Sequence, residues 1–140
     1  MQKTLLRLGF ILTLPFALLS AQTPQKFDSG PYKGFTKSAT EHVVVELPES
    51  LSVRSLQGSI TGPHKEDVLP GVVLEIRDES GMMRSGVSDS RGRFHIRGVR
   101  KGTYRFKVTK DGFSSIVGTV VLTRAASQKS TITLQMAIAN

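Results

Sequence analysis

The sequence predicts an all-β protein built as a small β-sandwich. Residues 71–112 contain short segments in which apolar and polar residues alternate, which is the period of a strand with one buried face. Glycines such as Gly92 and Gly98 separate these segments at the spacing of turns. After residue 21, no segment shows the 3.6-residue period of an amphipathic helix. Alternation, turn glycines and the missing helical period together indicate the fold class.

Residues 1–21 are arranged like a secretory signal peptide. Lys3 and Arg7 precede an apolar run over residues 8–19, and Ser20 and Ala21 supply small residues for cleavage. The run is too short to span a bilayer, so we expect no transmembrane anchor after its removal. The sequence therefore predicts an exported protein, located in the periplasm or outside the cell.

Residues 22–52 are predicted to form a flexible extension. The first part is rich in Pro, Gly, Ser, Thr and Lys, and it has no sustained period. Its aromatic residues are Phe27, Tyr32 and Phe35. They either dock a partner or tuck against the protein's own domain, and the sequence does not separate these alternatives. A β-branched run at residues 42–47 predicts an additional strand there.

Residues 53–137 are predicted to form the sandwich itself. The alternation places Phe94 and Ile96 inward, and in the next strand it places Tyr104, Phe106 and Val108 inward. The basic and histidine residues predicted to point outward on these two strands are Arg93, His95, Arg97, Arg105 and Lys107. A charged loop with two prolines occupies residues 62–71.

A set of turn and core residues carries a resemblance to a known family. The residues are Gly58, Gly71, Asp89, Gly92, Phe94, Gly98, Gly102, Tyr104, Gly112 and Phe113. Their spacing resembles that of the carboxypeptidase regulatory-like domain, a transthyretin-like (prealbumin-like) family. The resemblance implies a seven-stranded Greek-key sandwich and an accessory, non-catalytic role. Lys101 departs from the pattern, because the family usually has proline before the Gly-Thr-Tyr sequence.

Each of these signature residues has a structural explanation. Gly92 and Gly112 suit turn positions that need a positive φ. The Tyr104 hydroxyl, directly after a turn, is expected to bond to nearby backbone. Phe94 and Phe113 are expected to fill the space between the sheets.

The sequence predicts no catalytic, cofactor or metal site. It contains no cysteine, and its histidines, His42, His64 and His95, lie in separate segments without the spacing of zinc ligands. The turn that begins at Asp89 has one carboxylate where a calcium loop needs several oxygens. No serine lies in a nucleophile motif. We therefore expect a protein that is not an enzyme.

The formal net charge of +8 has two interpretations. Basic residues are spread along several strands and never form a run longer than two, which indicates a solvated surface and no nucleic-acid partner. The outward residues Arg93, His95, Arg97, Arg105 and Lys107 could instead bind an anionic ligand. That alternative requires the two strands to be neighbours in one sheet, because otherwise the charged face is divided.

The predicted function is an exported, non-catalytic β-sandwich module that contacts a protein or a cell-envelope component. The candidate contact regions are the loop at residues 62–71 and the aromatic extension at residues 27–35. The alternative is a module that binds glycans or anionic polysaccharides through the basic strand face. The sequence leaves the oligomeric state open.

Overall fold

A computed structural model describes residues 32–40 and 43–140. These residues form nine strands and no α-helix. The strands are β1 (Val44–Glu46), β2 (Leu51–Val53), β3 (Leu56–Thr61), β4 (Val73–Arg77), β5 (Met83–Val87), β6 (Arg93–Ile96), β7 (Gly102–Thr109), β8 (Ser115–Leu122) and β9 (Ile132–Gln135). The all-β prediction is confirmed. The predicted signal peptide, Phe27 and His42 lie outside the described residues.

The strands form two sheets that face each other. The six-stranded sheet has the order β1-β8-β7-β4-β5, and β2 also pairs with β8. The three-stranded sheet has the order β6-β3-β9. Three pairings are parallel, namely β1 with β8, β2 with β8, and β3 with β9. The remaining pairings are antiparallel.

The hydrophobic core lies between the two sheets and follows the predicted alternation. Phe94 and Ile96 of β6 are buried in it, as are the Tyr104, Phe106 and Val108 side chains of β7. The core residues contributed by the third and last strands are Leu56, Ile60, Ile132 and Leu134. Burial of each such side chain contributes roughly 1.5–3 kcal/mol. The inward positions predicted for β6 and β7 are confirmed.

The structure has nine strands rather than the predicted seven. The two additional strands, β1 and β2, pair one after the other along β8. Val44 pairs with Ser115 at one end of β8, and Val53 pairs with Leu122 at the other. They form because β8 is buried on both faces and still has a free edge. β1 lies inside the segment where the sequence predicted an additional strand.

At Gly58 the backbone of β3 lies too close to the backbone of β9 for a side chain to fit between them. It pairs with Ile132 of β9 in the parallel register. A Cβ atom at residue 58 would overlap the Ile132 carbonyl oxygen and lie 2.7 Å from the carbonyl carbon. Only glycine allows β3 and β9 to pair at this distance.

We expect Gly58→Ala to lower the free energy of unfolding by about 3 kcal/mol, because the added methyl group forces two backbones apart. Chemical denaturation measures the change. Gly62→Ala is the matched control, since its Cβ would lie 3.5 Å from the nearest atom and should change stability by less than about 1 kcal/mol. Equal stability losses in the two variants would contradict this explanation.

Candidate functional site

A segment of the predicted extension crosses the outer face of the six-stranded sheet. We call residues 32–40 the strap. Tyr32 and Phe35 of the strap are each only 5% exposed, and they pack with Val44 and Val117. The sequence predicted a flexible extension here, but these aromatic side chains are buried because the outer face of β8 offers them an apolar surface. Of the two alternatives left open for the aromatic residues, Tyr32 and Phe35 tuck against their own domain.

Hydrogen bonds hold the strap to the sheet. The Glu75 carboxylate on β4 accepts two of them from Thr36, from the backbone N–H at 2.9 Å and from the hydroxyl at 3.0 Å. Further along, the Ala39 N–H donates to Asp111 Oδ1 at 2.9 Å. A carboxylate accepting two bonds from one residue fixes both position and direction. The strap therefore has a defined path across the sheet.

Two arginines stack on the aromatic rings of the strap. Arg77 Cζ lies 4.7 Å from the ring centroid of Phe35, and its Nη1 donates to the Lys33 carbonyl oxygen. Arg105 Cζ lies 5.8 Å from the ring centroid of Tyr32. Burial raises the pKa of the Tyr32 phenol, and a hydrogen bond with Arg105 opposes part of that shift. Both guanidinium groups therefore contribute to holding the strap in place.

The structure divides the predicted basic face. Arg93 and His95 lie on β6 in the three-stranded sheet, and Arg97 follows directly after it. Arg105 and Lys107 lie on β7 in the six-stranded sheet. The five residues therefore do not form one surface, because alternation along a strand specifies a face but not a sheet.

The prediction that the Lys107 side chain faces solvent is wrong. The sequence placed it in water, but the side chain is 0% exposed. In the strand register it lies between Glu75 of β4 and Val117 of β8, and the strap contacts both of these residues. The strap thus covers the part of the outer face where Lys107 points.

A groove of about 550 Å³ lies on the outer face of the three-stranded sheet and extends to Val87 of β5 in the other sheet. We call it the polar groove. Its lining residues are Gln57, Gly58, Ser59, Val87, Asp89, Arg93, Phe94, His95 and Thr131. The register pairs Gln57 with His95 and Ser59 with Arg93, so amide, imidazole, hydroxyl and guanidinium groups share one surface. Three residues of the predicted set remain on this side of the molecule: Arg93 and His95 in the groove and Arg97 just beyond β6.

The turn before β6 positions the Arg93 end of the groove. Asp89 Oδ1 accepts bonds from the backbone N–H of Arg91 at 2.8 Å and of Arg93 at 3.0 Å. These backbone bonds, led by the one from Arg93, lower the pKa of the Asp89 carboxyl group. Gly92 completes the turn with a φ of 75°, a conformation that residues with a Cβ rarely adopt. Asp89 and Gly92 thus form a hydrogen-bonded turn that leads into Arg93 at the start of β6.

Other signature residues also have structural roles. The Tyr104 hydroxyl donates to the Arg100 carbonyl oxygen at 2.7 Å, as the sequence predicted. The further signature glycines with a positive φ are Gly71, Gly98, Gly102 and Gly112. Phe113 is half-buried against the core. These residues build the sandwich and its turns.

No metal centre is assembled by the part of the chain that the structure describes, since it contains no group of three or more potential His, Cys, Asp or Glu ligands. His64 lies in the exposed loop at residues 62–71, and His95 lies in the polar groove. Over the same described residues, no helix has the length and apolar character needed to cross a membrane.

The sequence did not indicate the residues that hold the strap, nor four of the nine that line the groove, Gln57, Ser59, Val87 and Thr131. Glu75, Thr36 and Arg77 belong to distant segments, and no local pattern links them. The sequence predicts a strand that contains Gln57 and Ser59, but it assigns no binding role to their side chains. The signal that could have found them is their outward position on β3, opposite the residues singled out on β6.

We expect Thr36→Val to lower the free energy of unfolding by about 1 kcal/mol, because it removes the hydroxyl bond to Glu75. Amide hydrogen exchange across the strap should speed up in the same variant. Thr133→Val, at an exposed position on β9, is the matched control and should leave exchange in the strap unchanged. Unaltered exchange in Thr36→Val would contradict the proposed anchoring.

Asp89 is expected to make stability depend on pH in acid. Its pKa in the folded protein is below the ordinary value of 3.8, so the folded state favours the ionised form. The stabilisation is present above pH 3.8 and is lost as the pH falls through the lower folded pKa. Denaturation at several pH values should show a shallower acid loss for Asp89→Asn, which keeps the acceptor oxygen but does not titrate. A slope equal to that of the unmodified protein would count against this role.

Comparison with solved structures shows similarity to several β-sandwich proteins. A chain of the type II Cohesin-X-Dockerin complex from Acetivibrio cellulolyticus matches with a TM-score of 0.45 and 23% identity, over 60% of this chain and 57% of that chain. The major pilin subunit of Bacillus cereus matches with a TM-score of 0.45 and 14% identity, over 59% of this chain and 27% of that one. Chlorocatechol 1,2-dioxygenase from Pseudomonas putida matches with a TM-score of 0.40 and 15% identity, over 83% and 71%. This chain thus spans just over half of the cohesin–dockerin chain.

The sequence comparison is more specific. No curated protein matches the chain. The family model of the carboxypeptidase regulatory-like domain matches residues 55–137. That range contains the seven strands β3 to β9, while β1, β2 and the strap precede it. The chain therefore belongs to the carboxypeptidase regulatory-like domain family.

Proposed function

We propose that the protein is an exported, non-catalytic β-sandwich module that binds a protein or a cell-envelope component through the polar groove. The observation that carries the proposal is the difference between the two outer sheet faces. The strap covers the part of the outer face of the six-stranded sheet around Lys107 and leaves a cavity of about 230 Å³ beside it, whereas the outer face of the three-stranded sheet carries the larger groove of about 550 Å³. An open concave surface with several hydrogen-bonding groups is a common form of binding site.

The groove supports binding to a partner with exposed polar or acidic groups. Arg93 and His95 are both exposed, and Arg93 offers the paired N–H groups that suit a carboxylate. Gln57 and Ser59 add an amide and a hydroxyl group next to them. These four side chains come from two strands that are held rigidly in one sheet, which favours specific recognition.

The loop at residues 62–71 supports an extended contact region. Residues 63–68 of this loop are exposed. Val68 bridges to Thr61 at the end of β3, and its Cβ lies close to Gly92 in the turn that borders the groove. A partner in the groove would therefore meet the loop as well.

The proposed organisation follows the sequence. Residues 1–21 would direct export, residues 22–52 would carry the strap, and residues 53–137 would form the binding module. Family membership supports a non-catalytic role, because carboxypeptidase regulatory-like domains are mostly accessory modules attached to other proteins.

Binding of an anionic polysaccharide is a second candidate. It is favoured by the guanidinium, imidazole, amide and hydroxyl groups in one groove, which match the carboxylate and hydroxyl groups of an acidic sugar. The described residues offer the groove no exposed aromatic ring for stacking on a sugar.

A charge-matched pair of variants tests the proposal. Arg93→Gln with Arg97→Gln removes two positive charges from the groove side without placing a new carboxylate beside Asp89. Lys33→Gln with Lys37→Gln removes the same charge from exposed positions on the strap, which lies on the other sheet. We expect the first variant to bind solubilised cell-envelope protein about tenfold more weakly and the second to bind normally.

Retention on immobilised polygalacturonate distinguishes the two candidates. If the groove binds an acidic glycan, the unmodified protein is retained on this polymer but not on uncharged dextran. If it binds a protein, only the envelope capture depends on Arg93 and Arg97. Equal capture by both double variants would reject the groove as the binding surface.

A further inference from the structure

Strand β5 leaves one edge of the six-stranded sheet open. In its antiparallel pairing with β4, the Ser88 N–H donates to the Val72 carbonyl, and the Asp78 N–H donates to the Met82 carbonyl. Residues that bond to the neighbouring strand alternate along an antiparallel ladder. The even-numbered residues of β5 therefore face β4. Met83, Ser85 and Val87 direct their N–H and C=O groups away from it, and among the described residues β5 pairs with no other strand.

The β5 edge has few of the features that usually protect an open edge. Charged side chains, proline and bulges normally keep such edges from pairing. The only charged residue on β5 is Arg84, and its Nη2 donates to the Arg97 carbonyl oxygen at 2.8 Å. The outward side chains include Val87, which is 60% exposed, and Met82 just before the strand is 64% exposed. The edge is therefore apolar and able to form hydrogen bonds.

We propose that two copies of the protein pair through their β5 strands, antiparallel and centred on Ser85, to form a dimer with one continuous sheet. In this register Met83 lies opposite Val87 of the second copy, and Ser85 lies opposite Ser85. All three are residues whose backbone groups point outward. Every outward N–H and C=O group of β5 then finds a partner in the second copy.

The side chains are complementary in the same register. On the outer face, Met83 and Val87 meet apolar partners, and Val73 extends this surface because it pairs with Val87 on β4. On the inner face, Arg84 lies opposite Gly86, and the Ile96 side chain of β6 packs against that glycine. The Arg84 residues of the two copies are diagonal neighbours in this register, and each donates to the carbonyl oxygens of Arg97 and Gly98 of its own copy. No like charges lie directly opposite each other, so the directly paired positions are compatible despite the basic net charge.

The β5 edge is better suited to this pairing than the β6 edge. β6 is also an outer strand, but its outward residues Arg93 and His95 are exposed and basic. Two copies meeting there would place positive charges close together. A single strand pair buries a small area compared with a stable dimer interface, so the β5 dimer is reversible and depends on concentration.

A charge-swap experiment tests both the dimer and its register. Met83→Lys with Val87→Lys places two lysines opposite each other at both cross-strand positions. Met83→Glu with Val87→Lys removes the same apolar residues but places glutamate opposite lysine at both positions. Sedimentation equilibrium at several protein concentrations should show a dimer for the unmodified protein and a monomer for the double lysine. The glutamate–lysine variant should dimerise at least about tenfold more tightly than the double lysine variant. High salt should reduce this difference, because it screens the charges.

A proline variant provides a second measurement. Ser85→Pro removes an outward N–H without removing a bond to β4, whereas Ser85→Thr keeps it. We expect the proline variant to be monomeric and the threonine variant to dimerise, with circular dichroism confirming that both are folded. An unmodified protein that is monomeric at every concentration would overturn the proposal. So would equal association of the two charged double variants, because it would show that residues 83 and 87 do not face each other.

Discussion

Where residues 107–109 of β7 run beside residues 115–117 of β8, the six-stranded sheet is buried on both faces, and the rest of the structure depends on this constraint. One face packs against the three-stranded sheet. On the other face, Lys107 and Thr109 of β7 and Ser115 and Val117 of β8 are buried as well. Polar groups buried in this way need partners, and apolar ones need a packing surface. The strap supplies that cover, and β1 extends the sheet beside it so that Val44 packs with the aromatic residues of the strap. Both segments come from the chain before the family domain.

This covering decides which charges remain available to a partner. Glu75, Arg77 and Arg105 are engaged with the strap, so they act within the protein. Arg93 and His95 have no such cover on the other sheet. Which of these charged side chains face an open groove therefore follows from the topology, which assigns β6 and β7 to different sheets. A high count of basic residues would not have revealed this division.

Much of the sandwich could be predicted from the sequence, because local rules govern it. Alternation identified the buried side of β6 and β7, and the position of Tyr104 after a turn indicated its backbone hydrogen bond. The sheet to which each strand belongs is a long-range property, and alternation carries no information about it. The burial of Lys107 likewise depends on a segment far away in the chain. The sequence predicted a basic face across β6 and β7, whereas the neighbour of β6 that completes the polar groove is β3.

The parallel pairing of β1 with β8 has a consequence for the order of folding. Val44 pairs with Ser115, and the strap before it bonds to β4 and to Asp111. As the chain emerges from its amino end, the strap and β1 are made first, yet their binding surface does not exist until β8 has joined β7. Contacts between such distant parts of a chain are slow to close. The strap and β1 are therefore made before β8 but find their place only after it, and the sheet face under the strap stays accessible until then.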